Sequence, residues 1–121
     1  MKLSDKEWRV LEALWPSPEG LALGEVVEAL RPATGWSRNT VLTYLTRMEV
    51  KGLVTIDKTQ APHRYRSAMD REACAAQERR GLLDRVYQGS AGKLVAAFLK
   101  EEKLTAQERE ELRKLLDDME V

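Results

Sequence analysis

The chain has 121 residues, 33% charged and 43% hydrophobic, with a formal net charge of zero, which is typical of a soluble globular protein of one domain or two very small ones. One cysteine, Cys74, and one histidine, His63, exclude a disulfide framework and a Cys₄ or Cys₂His₂ zinc site, and they allow a Ser-His-Asp triad only if His63 is its base. No apolar run approaches the ~18 residues of a membrane span, and the N-terminus has no apolar signal core, so we expect a cytoplasmic protein without membrane insertion.

Two helices are predicted at the start of the chain. Ser4 and Glu7 have the spacing of a capping box, which indicates that the first helix begins at Ser4. Its apolar face is made of Trp8, Leu11, Leu14 and Trp15. The proline- and glycine-rich run 16–20 ends this helix. A second, short helix is predicted over 23–30 and ends before Pro32, because proline loses a helix hydrogen bond and clashes with the preceding turn.

A third helix and a hairpin follow. The helix is predicted over 38–51, with Ser37 as its N-cap and Gly52 at the position after its end that needs a left-handed conformation. Its apolar side consists of Val41, Leu45 and Met48. Two β-prone runs, 53–58 and 63–67, flank a turn segment and predict a β-hairpin. Three helices and a hairpin indicate a winged helix-turn-helix, although a generic α+β domain has the same pattern.

The rest of the chain is predicted to be helical. A fourth helix covers 70–87, a fifth begins at Ser90, and a sixth begins at Thr105, which forms a capping box with Glu108. Three helices in about 50 residues cannot bury their apolar faces alone, so we expect a second copy of the chain to cover them. The predicted dimerisation residues are Leu83, Leu94, Val95, Phe98, Leu112, Leu115 and Leu116. The predicted fold is therefore mainly α with a small β wing, with a winged-helix domain at 1–69 and a helical dimerisation region at 70–121.

The exposed face of the third helix has the side chains that read a DNA major groove. Short hydroxyl and amide groups reach base edges, threonine and leucine methyl groups pack on thymine methyls, and arginine contacts guanine or phosphate. The stretch 36–66 has six basic residues against two acidic ones, and its hairpin can follow the phosphate backbone. We expect DNA contacts from Arg38, Asn39, Thr40, Leu42, Thr43, Thr46, Arg47, Lys58 and Arg64. Exposed helix faces of many proteins have the same composition without binding DNA. The position of this face just before a basic hairpin favours the interpretation that it contacts DNA.

Other functional classes have weaker support. A winged-helix module that binds protein without binding DNA predicts an apolar or acidic third-helix face, and this face is polar and basic. An enzyme needs a catalytic constellation, whereas acidic pairs such as Glu101-Glu102 are helix neighbours whose side chains point apart. The sequence also has no Gly-rich phosphate loop. We therefore predict a protein that is not an enzyme, with no catalytic residues, no metal site and no cofactor.

A family resemblance runs nearly from end to end. It is carried by LSDKEWRVLEALW at 3–15, by TVLTYLTRMEVKGLV at 40–54 and by segments within 87–116. These stretches resemble the first helix, the recognition helix with its entry to the wing, and the dimerisation region of the BlaI/MecI/CopY family of bacterial transcriptional repressors, the penicillinase repressors. The central motif is fairly specific, whereas the leucine spacing of the last stretch is weak by itself.

The resemblance implies a homodimer whose winged helices bind a palindromic operator in double-stranded DNA, often with TACA/TGTA half-sites. It also implies relief of repression by a sensor-linked protease that cleaves within the dimerisation helices. By position, Ala97-Phe98 matches the family's cleavage point, with Ala97 where well-known members carry Asn. Leu42 stands where some members place a basic residue. The copper-responsive branch has paired cysteines near its C-terminus, and these have no counterpart here, so we expect no copper sensing by that route.

Overall fold

A computed structural model describes residues 2–120 as six helices and one two-stranded antiparallel sheet. In chain order the elements are α1 (Asp5–Leu14), α2 (Leu23–Thr34), α3 (Arg38–Val50), β1 (Val54–Asp57), β2 (Arg64–Ser67), α4 (Arg71–Tyr87), α5 (Ala91–Glu101) and α6 (Ala106–Asp118). The predicted mainly α fold with a small β wing is confirmed. Met1 and Val121, the outer limits of the two predicted regions, lie outside the described residues.

The chain divides into two compact units, and the division falls inside α4, between Arg79 and Arg80. The first unit contains α1, α2, α3, the hairpin and the N-terminal half of α4. The second unit contains the rest of α4 with α5 and α6. The functional division into a DNA-binding domain at 1–69 and a dimerisation region at 70–121 stays a prediction.

Four helices begin at an N-cap that the sequence predicts, α5 among them. A complete capping box starts α1 at Ser4 and Glu7, and a second one starts α6 at Thr105 and Glu108. At α3, the hydroxyl oxygen of Ser37 accepts a hydrogen bond from a backbone N–H of the first turn. Each cap satisfies N–H groups that have no partner within their own helix, so short polar side chains determine these boundaries.

The predicted end of α2 is wrong. The sequence predicts that α2 stops at Leu30, whereas the helix continues to Thr34 with Pro32 inside its last turn. Because proline lacks an N–H, the helix loses one hydrogen bond, that to the carbonyl of Glu28, and it continues through the loss of this single bond. The helix ends instead at Gly35, which has a left-handed φ of 63° and donates its N–H to the carbonyl of Arg31 at 2.9 Å.

One hydrophobic core holds the first unit together. The predicted apolar side of α3, Val41, Leu45 and Met48, has no exposed surface. Side chains from α1, α2 and the hairpin surround it, among them Val10, Leu11, Leu14, Val26, Leu30, Leu53, Val54 and Tyr65. Cys74 of α4 is fully buried in the same core. The start of α4 is therefore packed as part of the winged-helix unit.

The hairpin is confirmed, and it is joined to the helices by one more pair of residues. Strands β1 and β2 pair antiparallel, with Val54 opposite Ser67. Leu21, in the loop before α2, exchanges two backbone hydrogen bonds with Tyr65 of β2, at 2.9 and 2.8 Å. The sequence did not predict this bridge because Leu21 lies in a proline- and glycine-rich loop without a strand pattern. The bridge fixes the wing to the loop between the first two helices.

The second unit leaves its apolar side chains uncovered. Among the described residues of α5 and α6, none is buried. The large exposed apolar side chains of these helices include Val95, Phe98, Leu99, Leu112, Leu115 and Leu116. None of the helices described in residues 2–120 combines the length and apolarity that crossing a membrane requires.

Candidate nucleic-acid interface

Helix α3 presents one face to the core and the opposite face to solvent. The residues predicted to read DNA lie on the second face: Arg38, Asn39, Leu42, Thr43, Thr46 and Arg47 are exposed, and Thr40 is half-buried. Because Val41, Leu45 and Met48 anchor the other side of the helix, the exposed face is a fixed surface. The structure therefore brings the seven predicted α3 residues together on one solvent-facing side.

The hydroxyl groups on this face are already engaged by their own helix. Thr43 Oγ1 donates to the carbonyl oxygen of Asn39 at 2.9 Å, and Thr46 Oγ1 donates to that of Leu42 at 2.9 Å. Each hydroxyl proton is thus used within the helix, and the oxygen retains only its capacity to accept. Methyl groups and hydrogen-bond acceptors remain for contact with a partner, which suits thymine methyls and the amino groups of adenine or cytosine.

An aromatic pair supports the start of the exposed face. Tyr44 of α3 stacks on Trp36, which lies in the turn before the helix, with ring centroids 4.8 Å apart and planes inclined by 10°. A depression of about 280 Å³ next to Tyr44 is lined by Asn39, Thr40, Thr43 and Arg47. Sequence reasoning did not single out Trp36. Its only signal was an aromatic residue immediately before a helix N-cap.

The six basic residues of the stretch 36–66 fall into two groups. The ion pairs, given with their N–O distances, are Lys51–Glu7 at 2.7 Å, Lys58–Glu49 at 3.7 Å and Arg64–Glu25 at 3.8 Å. Within residues 2–120, no ion pair is formed by Arg38, Arg47 and Arg66. Two of these three lie on α3 and one lies on the wing. They are the cations of this surface that can contact a phosphate without first breaking one of these ion pairs.

The wing flanks α3 at both ends of the helix. At the C-terminal end, Lys58 of the hairpin pairs with Glu49 of α3. At the N-terminal end, Arg38 lines a groove of about 410 Å³ together with Pro62 and His63 of the hairpin loop. The loop itself is shaped by Asp57: hydrogen bonds from the hydroxyl and backbone N–H of Thr59 lower the pKa of that carboxyl. Of the predicted wing residues, Lys58 therefore lies next to α3, whereas the contacts of Arg64 are with Gly20 and Glu25.

Arg64, predicted to contact DNA, also has an intramolecular partner. Its Nη1 donates to the carbonyl oxygen of Gly20 at 3.2 Å and lies 3.8 Å from a carboxylate oxygen of Glu25. Gly20 has a left-handed φ of 95°, and a Cβ there would lie 3.2 Å from the Cβ of Arg64 and 3.3 Å from the carbonyl oxygen of Tyr65. Glycine thus lets the loop approach β2, and Arg64 braces it. Its DNA contact stays a prediction.

A half-buried charge pair positions α3 on α1. The carboxylate of Glu7 is almost fully buried, accepts the backbone N–H of Ser4 and receives the ammonium of Lys51 at 2.7 Å. Burial raises the pKa of Glu7, but the hydrogen bonds from Lys51 and Ser4 outweigh that effect and bring the pKa below its ordinary value. Sequence reasoning found only the capping function of Glu7, because no local pattern encodes a partner 44 residues away.

The fold and this surface define the class of the protein: it is a winged helix-turn-helix protein. Its reading helix, the helix whose exposed face is expected to contact DNA bases, is α3. The sequence model of the family described as Penicillinase repressor matches residues 3–118. The chain therefore belongs to the penicillinase repressor family, and the predicted membership is confirmed. That membership places the chain among repressors and not among enzymes.

Individual relatives span nearly the whole chain. The methicillin resistance regulatory protein MecI of Staphylococcus aureus (strain N315) is 28% identical over 116 residues, which cover 96% of this chain and 94% of the relative. The penicillinase repressor of Bacillus licheniformis is 26% identical over 117 residues, covering 97% and 91%. Among solved structures, the monomeric form of Bacillus licheniformis BlaI in complex with the blaP half-operator matches with a TM-score of 0.51 and 26% identity, over 60% of this chain and 87% of that one.

Proposed function

We propose that this chain is a homodimeric transcriptional repressor that binds a palindromic operator in double-stranded DNA. The observation that carries the proposal is α3, a helix with one face locked in the core and the other face made of exposed threonine, asparagine and arginine side chains. A helix of this composition fits a major groove. The similarity to a BlaI structure in complex with a half-operator supports the same use of the fold. The proposal requires the protein to act in the cytoplasm, where the DNA is.

In this proposal the exposed surface divides its work between bases and phosphates. Asn39, Thr43 and Thr46 contact base edges, because they lie on the outermost side of α3 and are short enough for a groove floor. Arg38 and Arg47 contact the phosphates on either side of the groove, since neither forms an ion pair within the described chain. The wing, with Lys58 at its start, follows the neighbouring backbone.

The dimer is supported by the apolar surface of the second unit. Leu115 is 64% exposed and Phe98 is 53% exposed, although both are large apolar side chains on amphipathic helices. Faces of this kind are stable when a second copy covers them about a two-fold axis. A two-fold axis in the protein matches a palindrome in the operator, because the two reading helices enter successive major grooves about 34 Å apart.

Relief of repression by a sensor-linked protease, or by another signal at the same region, completes the proposal. The bond between Ala97 and Phe98 lies in the middle of α5, whose backbone groups are hydrogen-bonded within the helix. Cleavage there separates the apolar residues of early α5 from those of α6, so neither fragment retains the whole dimer surface. The cleaved protein then no longer binds both half-sites of the operator as one dimer.

The experiment that tests the proposal is selection of a duplex by the protein followed by measurement of its salt dependence. We expect a palindromic sequence to be recovered from random DNA. Affinity for it should fall on the order of 10³-fold or more between 50 and 200 mM salt, for ~6–10 phosphate contacts in the dimer. Arg47→Ala should reduce the slope of log affinity against log salt concentration by the equivalent of about one phosphate contact for each protomer. Failure to select any duplex, or a salt-independent affinity, would contradict DNA binding and favour a protein-binding module.

A further inference from the structure

The N-terminal half of α4 is held on the winged-helix unit by three contacts along one helix face. Arg71, Cys74 and Glu78 are spaced by three and four residues, so they lie on the same side of α4. Cys74 is buried in the core of the winged-helix unit. Glu78 accepts the backbone N–H of Leu3 at 3.3 Å. The third contact, made by Arg71 at the first turn, is of a different kind.

The guanidinium of Arg71 lies over two tryptophan rings at once. Its Cζ is 5.8 Å from the ring centroid of Trp8 and 5.7 Å from that of Trp15, both on or next to α1. The two rings meet edge to face, with centroids 5.2 Å apart and planes inclined by 76°. A cation within about 6 Å of an aromatic face is attracted by the negative face of the ring.

The tryptophan pair is itself fixed to the segment that leads into α4. The indole N–H of Trp15 donates to the carbonyl oxygen of Met69 at 2.8 Å and to the hydroxyl of Ser67 at 3.1 Å. The chain therefore leaves β2, touches Trp15 through Met69, and places Arg71 on the same ring two residues later. Arg71 is exposed, so burial does not explain its position.

We propose that Arg71, held by Trp8 and Trp15, is a positioning residue that fixes the direction in which α4 leaves the winged-helix unit. In the dimer of the proposed function, on which this inference rests, that direction determines the distance between the two reading helices. Arg71 itself contacts no DNA. Through Arg71, the dimer distinguishes operators by the spacing of their half-sites as well as by their base sequence.

The geometry amplifies a small change at Arg71. Helix α4 has 17 residues and is therefore about 25 Å long. Cys74 stays buried when the Arg71 contact is lost, so the helix turns about Cys74. A pivot of about 10° there moves the far end of α4, about 20 Å away, by about 3.4 Å, which equals the rise of one base pair. Loss of the contact therefore lets two reading helices adopt a range of separations, of which only some match the operator.

The test compares Arg71→Ala with wild type on two duplexes: the palindrome selected by the wild-type protein, and a duplex carrying one of its half-sites. We expect Arg71→Ala to bind the half-site within about twofold of wild type and the full operator about tenfold more weakly, because only the second depends on the spacing of two heads. On operators lengthened or shortened by one base pair, wild type should lose affinity steeply and Arg71→Ala only slightly. Arg71→Lys, which keeps the cation, should recover part of the wild-type behaviour.

The matched control is Arg79→Ala, which removes the same charge from the same helix but breaks only an exposed ion pair with Glu72. It should behave as wild type on all duplexes. Equal losses on the half-site and the full operator, or a loss no larger than that of Arg79→Ala, would overturn the inference. Sedimentation must give a dimer for both variants, since a monomeric Arg71→Ala would place the residue in assembly and would also overturn it. If the wild type selects no palindrome, the proposed function itself fails, which is a separate outcome.

Discussion

The two units of this chain differ in where their apolar side chains are covered. In the first unit, the apolar faces of α1, α2 and α3 meet the hairpin and Cys74 in one core, and leucine and methionine side chains such as Leu45 and Met48 are fully buried. In the second unit, α5 and α6 have amphipathic sequences and correct caps, yet none of their described residues is buried. Good local helix signals are therefore present in both units, and only the first has enough neighbours to complete a core.

This difference supports the proposed dimer, in which the second unit supplies half of an interface. A short helical segment cannot bury its own apolar surface, because the fraction of surface removed from water on folding is smaller for shorter chains. The first unit is instead a complete scaffold, and its polar outer surface is available for a ligand. Reading and assembly are thus expected to be separable by mutation.

The largest expected effect comes from breaking the second unit. Leu115→Asp places a charge in the apolar contact between two copies, where it has no partner, and should convert the dimer into a monomer. Operator affinity should fall by about 10²–10⁴-fold, since two DNA-binding units linked in a dimer bind far better than one unit alone. The first unit should stay folded, as measured by its thermal transition. Sedimentation and operator binding together give the result.

The control for that variant is Gln107→Asp, which adds the same charge to a polar, exposed position of α6. It should leave the dimer and the operator affinity unchanged. A wild type that is monomeric at micromolar concentration would place the interface elsewhere, and so would a Leu115→Asp variant that remains dimeric.

The discrimination between bases, by contrast, should change with substitutions in the first unit alone. Thr43→Ala removes an acceptor and a methyl group from the exposed face of α3 and should relax discrimination at one base pair by ~1–3 kcal/mol, without changing the dimer. Thr43→Val keeps the methyl group and Thr43→Ser keeps the acceptor, so the pair identifies which of the two is read. The measurement is binding to operators with single base-pair changes. An equal loss on every sequence would assign Thr43 to the backbone instead.

The elements were predictable where a few neighbouring residues determine them. Ser37 and Gly52 bracket α3 because a cap and a left-handed terminus are local requirements, and both are observed. The end of α2 was not predictable by the same means. Pro32 is a strong local signal, but the helix continues through it with the loss of one hydrogen bond. Gly35, three residues later, determines the end.

The surface of the candidate site was predictable in part, for a physical reason. Helical periodicity fixes which residues lie opposite Val41 and Leu45, so the exposed face of α3 follows from its buried one. Partners from distant elements leave no such trace. The pairing of Lys51 with Glu7, and the bond from Arg64 to Gly20, depend on how helices and hairpin meet, which a sequence pattern does not encode.

The half-buried pair offers a test of the first unit's self-sufficiency. Glu7→Gln keeps the capping geometry but removes the charge that faces Lys51, and should lower the free energy of unfolding by about 1–2 kcal/mol at neutral pH, because the lysine is half-exposed and partly screened. Glu12→Gln, an exposed site on the same helix, is the control and should have little effect. Denaturant unfolding measures both.

The same pair has a pH signature. The pKa of Glu7 is lower in the folded chain than its ordinary value, so the carboxylate stabilises the fold at pH above that ordinary value of about 4.3. This contribution is lost as the pH falls through the folded value. Wild type should therefore lose more stability than Glu7→Gln between about pH 5 and the acid limit of folding. Parallel curves for the two proteins would show that the pair contributes nothing.

The smallest effect separates bracing from DNA contact within the wing. Arg64 donates to the Gly20 carbonyl, so Arg64→Ala should lower the stability of the first unit by about 0.5–1 kcal/mol, most of it from that bond, because the ion pair with Glu25 is exposed. Arg66, two residues along the same strand and without an ion pair among residues 2–120, should behave in the opposite way. Arg66→Ala should leave stability within about 0.5 kcal/mol and reduce the salt dependence of operator binding by about one contact for each protomer. If Arg64→Ala instead leaves stability unchanged and lowers the salt slope as Arg66→Ala does, then Arg64 faces the DNA in the complex, and the bond to Gly20 is not what holds the wing.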